Sequence, residues 1–404
     1  MLGSVYIGLS GLMTYSKGLD SISNNVANMN TAGYKRSDLV FSDLFYKHNT
    51  SGNDERSVSK QIGSGVTGDT TTTSFAQGEI KETGNDTDLA IDGNGFFILK
   101  QGDDTFYTRA GQFEFNKSGV LVASGTDARV MAYDNGKLKD INMSGLRTNP
   151  AVATSEISFV KNLSTGSTTH ELTDVGVIDS LGATHDLTIT FTNNNAVTPH
   201  SWIIDIEDDD GNVIAAGGEI RFQGDGSPEA GYNSYSFTYT PTGANASTIT
   251  LQFGDAGSFT GATSFSGGTS SDLEVGETDG VESGALLSVG FNYDGALQTT
   301  YSNGVTVDND RIALAWFNNI QSLKMLGKAQ FEVTGDQEPI INAANEGIMG
   351  KIIGKKIELS NVDLTLEFTD LIIMQRGFQG SSQILTVSNE IMQQLLNMGR
   401  GGAG

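Results

Sequence analysis

Residues 360–398 read SNVDLTLEFTDLIIMQRGFQGSSQILTVSNEIMQQLLNM, and this stretch decides the fold. Ser360 and Asn361, followed by Asp363, predict the N-terminal cap and acidic first turn of a long helix. Apolar side chains recur at helical spacing along two neighbouring stripes: Leu364, Phe368, Leu371, Phe378, Leu385, Met392 and Leu396, with Ile384, Val387, Ile391, Leu395 and Met398 beside them. Together the stripes form a face wider than a two-stranded coiled coil requires.

The predicted helix is long enough to need a partner along most of its length. At about 1.5 Å per residue it forms a rod of roughly 55 Å. Gln375, Ser382 and Asn389 interrupt the first stripe and place polar side chains within a broad apolar face. Such a rod must be covered by another part of the chain or by other molecules.

The first 30 residues carry a matching pattern. Their apolar and small side chains follow steps of four, three and seven: Val5, Leu9, Leu12, Ser16, Leu19, Ser23 and Val26, with Tyr15, Ile22 and Met29 alongside. This pattern predicts an N-terminal helix that ends at residues 30–33, with Gly33 just beyond its last turn. The two terminal helices either pair only with each other, or pair and still present a face to neighbouring subunits. The width of both apolar faces favours the second arrangement.

Composition indicates a β-rich chain without disulfides. The 404 residues include 51 Gly, 5 Pro and no Cys, which suits short strands joined by turns and excludes cysteine chemistry. The net charge of −24 is uneven, because residues 1–48 hold four basic and three acidic side chains and residues 351–404 hold five of each. The excess negative charge therefore lies in residues 49–350. An acidic middle disfavours nucleic acid as a partner, and near-neutral ends can pack against copies of themselves.

Strand patterns between Gly-containing turns fill the middle of the chain, and Ser144, Gly145 and Pro150 mark a boundary there. We predict an α+β fold, mainly β, with coiled-coil-like terminal helices paired at one end, a nested inner β-domain and an inserted outer β-domain. The predicted segments are residues 1–33 (N-terminal helix), 34–75 (extended connector), 76–145 and 285–358 (the two parts of the inner β-domain), 146–284 (outer β-domain) and 359–404 (C-terminal helix).

The sequence contains no pattern that indicates catalysis or a cofactor. His48, His170, His185 and His200 lack the spacing of a metal site, and residues 208–212 (DDDGN) fit an acidic hairpin turn better than a calcium loop. There is no phosphate-binding GxxxxGK[ST] and no GxSxG nucleophile motif. We therefore predict a protein that is not an enzyme, with no catalytic, metal-binding or cofactor-binding residues.

The chain also lacks the signals that direct a protein into a membrane. No run of 18 apolar residues occurs, and residues 1–5 (MLGSV) lack a basic segment and a cleavage site after it. We predict no membrane insertion and, if the protein is exported, no cleavable signal peptide.

Several long motifs, in a fixed order, resemble the bacterial flagellar rod and hook family. At the N-terminal end they are SNNVANMNTAGYKR at 23–36, and in the middle DGNGFF at 92–97 and YTRAGQF at 107–113. At the C-terminal end they are LSNVDL at 359–364, EF at 367–368 and QRGFQ at 375–379. These motifs cover the ends and the inner β-domain, and residues 150–284 match only loosely.

The resemblance implies a structural subunit of a tubular helical polymer that joins the flagellar rod to the filament. Copies of the chain would be exported through the type III apparatus and assembled outside the cell beneath a hook cap, between the distal rod protein and the hook–filament junction proteins. The terminal helices would line a central channel. A length of about 400 residues with one inserted domain resembles a hook subunit, and a distal rod subunit is the nearest alternative. A secreted β-rich adhesin with coiled-coil ends accounts for neither terminal motif.

Two sets of residues are candidates for this role. From the apolar pattern we predict subunit contacts through Val5, Leu9, Leu12, Leu19, Ile22, Val26, Leu364, Phe368, Leu371, Phe378, Leu385, Ile391 and Leu395. The resemblance marks Asn24, Asn25, Ala27, Asn28, Thr31, Gly33 and Tyr34 at one end, where the family has export and assembly roles, and Ser360, Asn361, Val362, Asp363, Gln375 and Arg376 at the other.

Overall fold

The computed structural model describes residues 2–44, 47–49, 60–335 and 337–400. The chain is mainly β with one long helix at each end, which confirms the predicted fold class. It divides into two compact units: unit 1 comprises Met1–Ser144, Val289–Gln298 and Asp308–Gly404, and unit 2 comprises Gly145–Ser288 and Thr299–Val307. The sequence placed the inserted domain at 146–284, whereas residues 285–288 and 299–307 also group with unit 2.

The secondary structure comprises two α-helices, one short 3-10 turn and thirty strands in the described residues. The helices are α1 (Leu2–Ala27) and α2 (Leu364–Arg400), and the 3-10 turn is Ile320–Ser322. The strands are β1 (Ser37–Asp43), β2 (Lys47–Asn49), β3 (Lys60–Ile62), β4 (Val66–Thr73), β5 (Ile80–Glu82), β6 (Leu89–Asp92), β7 (Phe96–Gln101), β8 (Asp104–Thr108), β9 (Phe113–Phe115), β10 (Leu121–Ala123), β11 (Arg129–Asp134), β12 (Lys137–Asp140), β13 (Thr148–Asn149), β14 (Glu156–Asn162), β15 (Thr169–Ile178), β16 (Thr184–Asn193), β17 (Ser201–Asp208), β18 (Val213–Arg221), β19 (Ser234–Tyr239), β20 (Ser247–Gln252), β21 (Ala262–Thr263), β22 (Glu274–Thr278), β23 (Gly284–Phe291), β24 (Ala296–Tyr301), β25 (Thr306–Trp316), β26 (Leu323–Gly327), β27 (Gln330–Val333), β28 (Ile340–Ala343), β29 (Lys351–Gly354) and β30 (Lys356–Glu358).

Both helix boundaries nearest the signature motifs differ from the sequence prediction. Helix α1 ends at Ala27, three to six residues early, because residues 28–33 form turns in which the Gly33 N–H donates to the Glu358 carbonyl at 2.8 Å. Helix α2 begins at Leu364, and Asp363 is its N-cap, since Asp363 Oδ1 accepts from the Thr365 N–H at 2.8 Å. Ser360 and Asn361 therefore precede the helix instead of capping it.

The core of unit 1 is a mostly antiparallel sheet that carries the middle signature motifs. Strands β11, β7, β8, β27 and β26 are neighbours in that order, and β7 also pairs with residues 314–315 of β25. The buried side chains on one face include Phe96, Ile98, Tyr107, Phe317 and Phe331. Their rings meet edge-on, as in the pair of Tyr107 and Phe317 with centroids 4.8 Å apart.

Part of the segment predicted as an extended connector is a paired arm against α1. Strands β1 and β4 pair antiparallel, with a bulge between Val40 and Ser42. The Ser21 hydroxyl of α1 donates to the Ser37 carbonyl at 2.7 Å, and Lys17 forms an ion pair with Asp69 at 2.7 Å. Residues 45, 46 and 50–59 of the predicted connector lie outside the described residues.

Unit 2 is a sandwich of two sheets with its own apolar core. One sheet has the strand order β15-β16-β17-β18, and the other contains β19-β20-β14, with β21 and β22 also paired to β14. Alternate residues point inward, as in β16, where Leu187, Ile189 and Phe191 are fully buried. The inward rings stack at the centre, where Phe159 and Phe253 lie with centroids 4.9 Å apart.

Helices α1 and α2 pack against each other through small residues. A Cβ on Gly11 would lie 2.8 Å from Ser381 Oγ, and one on Gly18 would lie 2.9 Å from Met374 Sδ. On the α2 side, a Cβ on Gly377 would lie 2.4 Å from the Tyr15 ring. The helix pairing predicted from the apolar stripes is therefore present, but its seam lies beside the main apolar stripe of α1, because glycine lets the backbones approach closely.

The seam predicts opposite effects for two glycines in α2. Gly377→Ala should lower the free energy of unfolding, because overpacking costs about 1–3 kcal/mol and the gain in helix propensity offsets only part of it. Gly380→Ala is the matched control: a Cβ there meets nothing within 4 Å, so the variant should gain up to about 1 kcal/mol. Urea unfolding followed by circular dichroism measures both. Equal shifts in the two variants would contradict the close seam.

Candidate assembly site

The outer surface of the helix pair is apolar to an unusual degree. Along one side of α2, side chains with 43–76% exposure follow helical spacing: Ile373, Ile384, Val387, Ile391, Leu395 and Met398. Helix α1 exposes Tyr6, Leu9 and Met13 by 58%, 46% and 57%. Isolated exposed apolar residues are ordinary, but a continuous apolar stripe on a rod marks a surface that another molecule covers.

A second stripe on α2 is polar and almost uncharged. It consists of Gln375, Gln379, Gln383, Thr386, Gln393 and Asn397, all of which are exposed. At 100° per residue these positions lie on one side of the helix, turned away from the Gly377 and Ser381 seam. Glu390 is the only charged residue between positions 377 and 399. We call this surface the amide strip.

The predicted contact residues fall into three groups. Ile22 is buried in the chain. The half-buried residues, which flank the seam, are Val5, Leu12, Leu19, Val26, Leu364, Leu371, Phe378 and Leu385. The exposed ones are Leu9, Phe368, Ile391 and Leu395.

The signature motifs of the two chain ends meet around Asn25 and Glu367. Asn25 Nδ2 donates to Glu367 Oε1 at 3.1 Å and to the Ser37 carbonyl at 3.0 Å. Asn25 Oδ1 accepts from the Ser37 N–H at 3.1 Å and from the Tyr34 hydroxyl at 3.2 Å. Both polar atoms of a buried amide are thus satisfied, and they tie α1 to the start of β1 and to the first turn of α2.

Arg36 supplies the positive charge for this cluster. Its Nε lies 2.7 Å from Asp38 and 3.3 Å from Glu367, and its backbone N–H donates to Asn361 Oδ1 at 2.7 Å. Burial raises the pKa of Glu367, and the nearby Asp38 and Asp370 add to this, while the Asn25 hydrogen bond and Arg36 oppose it. Burial also raises the pKa of Tyr34, with the charge of Glu367 adding to it. A carboxyl with a raised pKa is held here at an electrostatic cost.

A second cluster, centred on Glu358, is more deeply buried. Glu358 Oε1 lies 2.5 Å from Lys35 Nζ and accepts from the Gly78 N–H at 2.9 Å, and Oε2 lies 3.2 Å from Arg109 Nη1. The side chains of Lys35 and Glu358 have no exposure and that of Arg109 has 5%. Burial lowers the pKa of both Lys35 and Arg109, and their ion pairs with Glu358 oppose that effect.

Arg109 connects this cluster to the sheet of unit 1. Its Nη2 donates to the Gly93 carbonyl at 2.9 Å, and its guanidinium lies 5.2 Å from the centre of the Phe96 ring. Its Nε is buried without a hydrogen-bond partner among the described residues. Lys35 of the motif at 23–36 and Arg109 of the motif at 107–113 therefore meet at the carboxylate of Glu358, which directly precedes the motif at 359–364, and Arg109 links them to the motif at 92–97.

The remaining signature residues either pack on neighbouring segments of the chain or lie near the surface. Gly33, at φ +67°, packs so closely on the next segment that a Cβ would lie 2.3 Å from the Ala110 nitrogen. Asn361 Nδ2 donates to the carbonyls of Ser74 and Ala76 at 2.8 and 3.0 Å. Outside the two clusters, half-buried or exposed, lie Ala27, Asn28, Thr31, Ser360, Val362, Asp363, Gln375 and Arg376.

The sequence patterns do not single out Glu358, and Lys35, Arg109 and Glu367 stand in them only as members of longer motifs. The position of Glu358 between Ile357 and Leu359 could have indicated its role. A charged residue in an apolar strand is rarely buried without a partner of opposite charge. Among the described residues, no group of three or more His, Cys, Asp or Glu could hold a metal ion. Neither described helix is long and apolar enough to cross a membrane.

The Glu358 cluster predicts a large stability loss when its charge is removed. Glu358→Gln leaves Lys35 and Arg109 buried without an anion, which should cost about 3–5 kcal/mol of unfolding free energy in urea titration. The control is Asp86→Asn, which breaks the exposed ion pair with Lys355 at 2.9 Å and should have little effect. Similar stability losses in the two variants would contradict the role assigned to Glu358.

The raised pKa of Glu367 predicts a pH dependence with a defined sign. A carboxyl whose pKa is higher in the folded state than its ordinary value of 4.5 binds its proton more tightly when folded. Its contribution to the free energy of unfolding therefore falls as the pH rises through the range above 4.5. Urea unfolding at several pH values from 4 to 7 should show the wild-type chain losing stability relative to Glu367→Gln. Parallel pH profiles would show that the carboxyl does not titrate in this way.

Four family models match successive segments of the chain. The flagella basal body rod protein model matches residues 5–35, and the model of the flagellar hook protein FlgE/F/G D1 domain matches residues 90–149. The flagellar basal body protein FlaE D2 domain model matches residues 160–339, and the flagellar basal body rod FlgEFG protein C-terminal model matches residues 355–398. The first and last models include Asn25, Lys35, Glu358 and Glu367, and the D1 domain model includes Arg109.

Individual relatives match over the full length. The flagellar hook protein FlgE of Treponema pallidum is 30% identical over 99% of this chain and 100% of that protein. That of Borreliella burgdorferi is 28% identical over 98% and 100%. The crystal structure of Helicobacter pylori flagellar hook protein FlgE2 has the same fold, with a TM-score of 0.50 and 14% identity over 69% of this chain and 100% of that one. The chain therefore belongs to the flagellar hook protein family, as a structural subunit.

Proposed function

We propose that copies of this chain assemble into the tube of the flagellar hook through the exposed apolar sides of α1 and α2. The observation that carries this proposal is the apolar stripe of Ile384, Ile391 and Leu395, each 43–48% exposed on a helix already paired along its seam. Each such side chain contributes about 1.5–3 kcal/mol when fully buried. Burial of several such side chains in every copy provides the free energy that holds neighbouring copies together in a continuous tube wall.

The amide strip supports a channel inside that tube. Gln379, Gln383 and Gln393 lie away from the seam and next to the apolar stripe. When helices of neighbouring copies pack side by side through the apolar stripe, the amide strip stays outside both contacts and remains exposed. Neutral amides remain hydrated without binding a passing chain through charge. We infer that this strip faces the lumen through which further subunits are exported.

The β-rich parts would supply the flexibility of a universal joint that transmits torque from rod to filament. Unit 2 carries 19 acidic and 3 basic side chains, so its contacts with neighbouring copies are weakened by like charge. The helices, which are near neutral, have no such penalty. We infer that the helix contacts maintain continuity while contacts between outer β-domains break and re-form as the hook bends.

We infer the specific partners and the route of export from family membership. The distal rod protein, the hook cap, the hook–filament junction proteins and the type III export apparatus are the proposed partners, and the proposed location is the extracellular hook, reached without a cleavable signal peptide. The identity of 30% to the Treponema pallidum hook protein, against 26% to the full-length basal-body rod protein FlgG of Bacillus subtilis, favours a hook subunit over the alternative of a distal rod subunit. The matches give no support to a secreted adhesin.

A triple substitution on the apolar stripe tests assembly. Ile384→Ser, Ile391→Ser and Leu395→Ser together should abolish polymers in sedimentation and negative-stain microscopy, because the surface that neighbours bury becomes polar. Deleting residues 360–404 should also leave a β-rich monomer. The wild-type chain should form curved tubes, whereas straight tubes would indicate a rod subunit.

The matched control lies on the same helix. Gln383→Ser and Gln393→Ser change the amide strip and should leave polymerisation unchanged. Tubes formed by the triple variant, or by the chain without α2, would show that assembly does not depend on this surface.

A further inference from the structure

The chain contains three Asn–Gly pairs, and the fold restrains two of them. The pairs are at residues 94–95, 135–136 and 303–304. In such a pair the backbone nitrogen of the glycine can attack the side-chain amide of the asparagine, because glycine has no Cβ to hinder the approach and its backbone is free to rotate. Whether the reaction occurs in a folded chain depends on how firmly the two residues are held.

Hydrogen bonds hold the pair at 303–304. Asn303 Nδ2 donates to the Glu282 carbonyl at 2.8 Å, and Asn303 Oδ1 accepts from the Val305 N–H at 3.1 Å. The Gly304 N–H, which is the group that would attack, donates to the Tyr301 carbonyl at 3.0 Å. Both reacting groups of this pair are therefore engaged elsewhere.

Packing holds the pair at 94–95. Gly95 is buried, and a Cβ there would lie 3.3 Å from the Leu314 side chain. The Asn94 carbonyl accepts from the Gly350 N–H at 2.7 Å. The peptide group between Asn94 and Gly95 therefore cannot rotate without breaking this bond and disturbing the buried side chains beside it.

The pair at 135–136 has neither restraint. Asn135 and Gly136 form the two-residue turn between β11 and β12, at φ +47° and +86°, and both are exposed. The Gly136 N–H makes no hydrogen bond within the described chain, and a Cβ on Gly136 would meet nothing within 4 Å. Among the described residues, the Asn135 side chain donates only to the neighbouring Asp134 carboxylate, at 2.9 Å on the surface.

The hairpin that carries this turn can open locally. Strand β12 pairs with β11 alone in the described chain, and its residues 137–139 are exposed. Lys139 also forms an ion pair with Asp310 of β25, but ion pairs at the surface stabilise little. Because few buried contacts oppose it, opening of such a strand costs little free energy. Opening lets the Asn135 backbone rotate, so that the Gly136 nitrogen reaches the side-chain carbonyl carbon.

We propose that Asn135 is a site of spontaneous deamidation and isoaspartate formation. The Gly136 nitrogen forms a bond with Asn135 Cγ, and the bond from Cγ to Nδ2 breaks. The glycine N–H proton leaves with Nδ2 as ammonia, and a succinimide ring remains. Water then opens the ring at Cγ to give aspartate, or at the main-chain carbonyl carbon to give isoaspartate. Water is the only co-reactant.

The products change the charge and the backbone at the hairpin tip. A carboxylate replaces a neutral amide beside Asp134, whose Oδ2 lies 3.1 Å from Lys139 Nζ. Isoaspartate also adds one carbon atom to the main chain, so the pairing of Asp134 with Lys137 can no longer close through the same two-residue turn. Because the reaction needs no partner, its extent rises with the age of each copy, assembled or not.

Peptide mapping of the full-length chain during incubation at mildly alkaline pH tests the proposal. Mass spectrometry should show aspartate and isoaspartate forming several times faster at position 135 than at positions 94 and 303. The rate should rise with pH, because the attacking nitrogen must lose its proton. Equal rates at the three positions of the folded chain, or a slower rate at position 135, would overturn the proposal.

The same measurement in urea separates the effect of the fold from that of the local sequence. In the unfolded chain the hydrogen bonds and packing around positions 94 and 303 are absent. The three rates should therefore become similar. A difference as large in urea as in buffer would contradict the protection that the fold gives to the other two pairs.

Two matched variants show where the product forms. Asn135→Gly removes the side chain that reacts and keeps a residue suited to φ +47°, so the hairpin turn is retained. This variant should lose most of the label that an isoaspartate-specific methyltransferase adds to the incubated chain. Asn303→Gly is the control and should keep that label. Labelling that survives in Asn135→Gly, or that falls equally in both variants, would overturn the assignment to Asn135.

Discussion

The structure of unit 1 depends on one buried carboxylate. Glu358 lies in the last strand before α2, and it binds Lys35, just after α1, and Arg109, in the central sheet. Two cations around one anion in a site without solvent cannot separate without leaving a charge unpaired, which is costly. The segment that follows α1 and the segment that precedes α2 are therefore fixed to the same point of the sheet. Lys35 and Glu358, which make this connection, are more than 320 residues apart in the chain.

That constraint explains why the helices can be both close together and apolar outside. Asn25 and Glu367 hold the base of the helix pair, and Gly11, Gly18 and Gly377 let the two backbones approach along the seam. Small residues at the seam leave the larger side chains to point outward. In an isolated chain that exposure is unfavourable, and in the proposed polymer it becomes the contact surface, so folding and the proposed assembly use different faces of the same helices.

The sequence predicted the existence of the terminal helices, the mainly β middle and the family, because apolar spacing and long motifs are local signals. It did not predict the seam, since Gly11 and Gly18 add nothing to an apolar stripe and matter only when α2 is in place. Nor did it predict the Glu358 cluster, whose members at 35, 109 and 358 are brought together by tertiary structure. Ser360 and Asp363 are both good N-cap residues, so the sequence alone predicted the cap at Ser360 and placed Asp363 in the first turn. The hydrogen bond from the Thr365 N–H to Asp363 identifies Asp363 as the cap.

The central claim is that each copy keeps its helix pair closed and uses the outward apolar side for its neighbours. A cryo-electron microscopy map of the assembled polymer, at a resolution that shows side chains, tests this most directly. The account predicts Tyr15 against Gly377 within each copy, Ile384, Ile391 and Leu395 in contact with other copies, and Gln379 and Gln393 facing the lumen. A map in which α1 and α2 of one copy are separated, or in which the apolar stripe faces solvent, would contradict it.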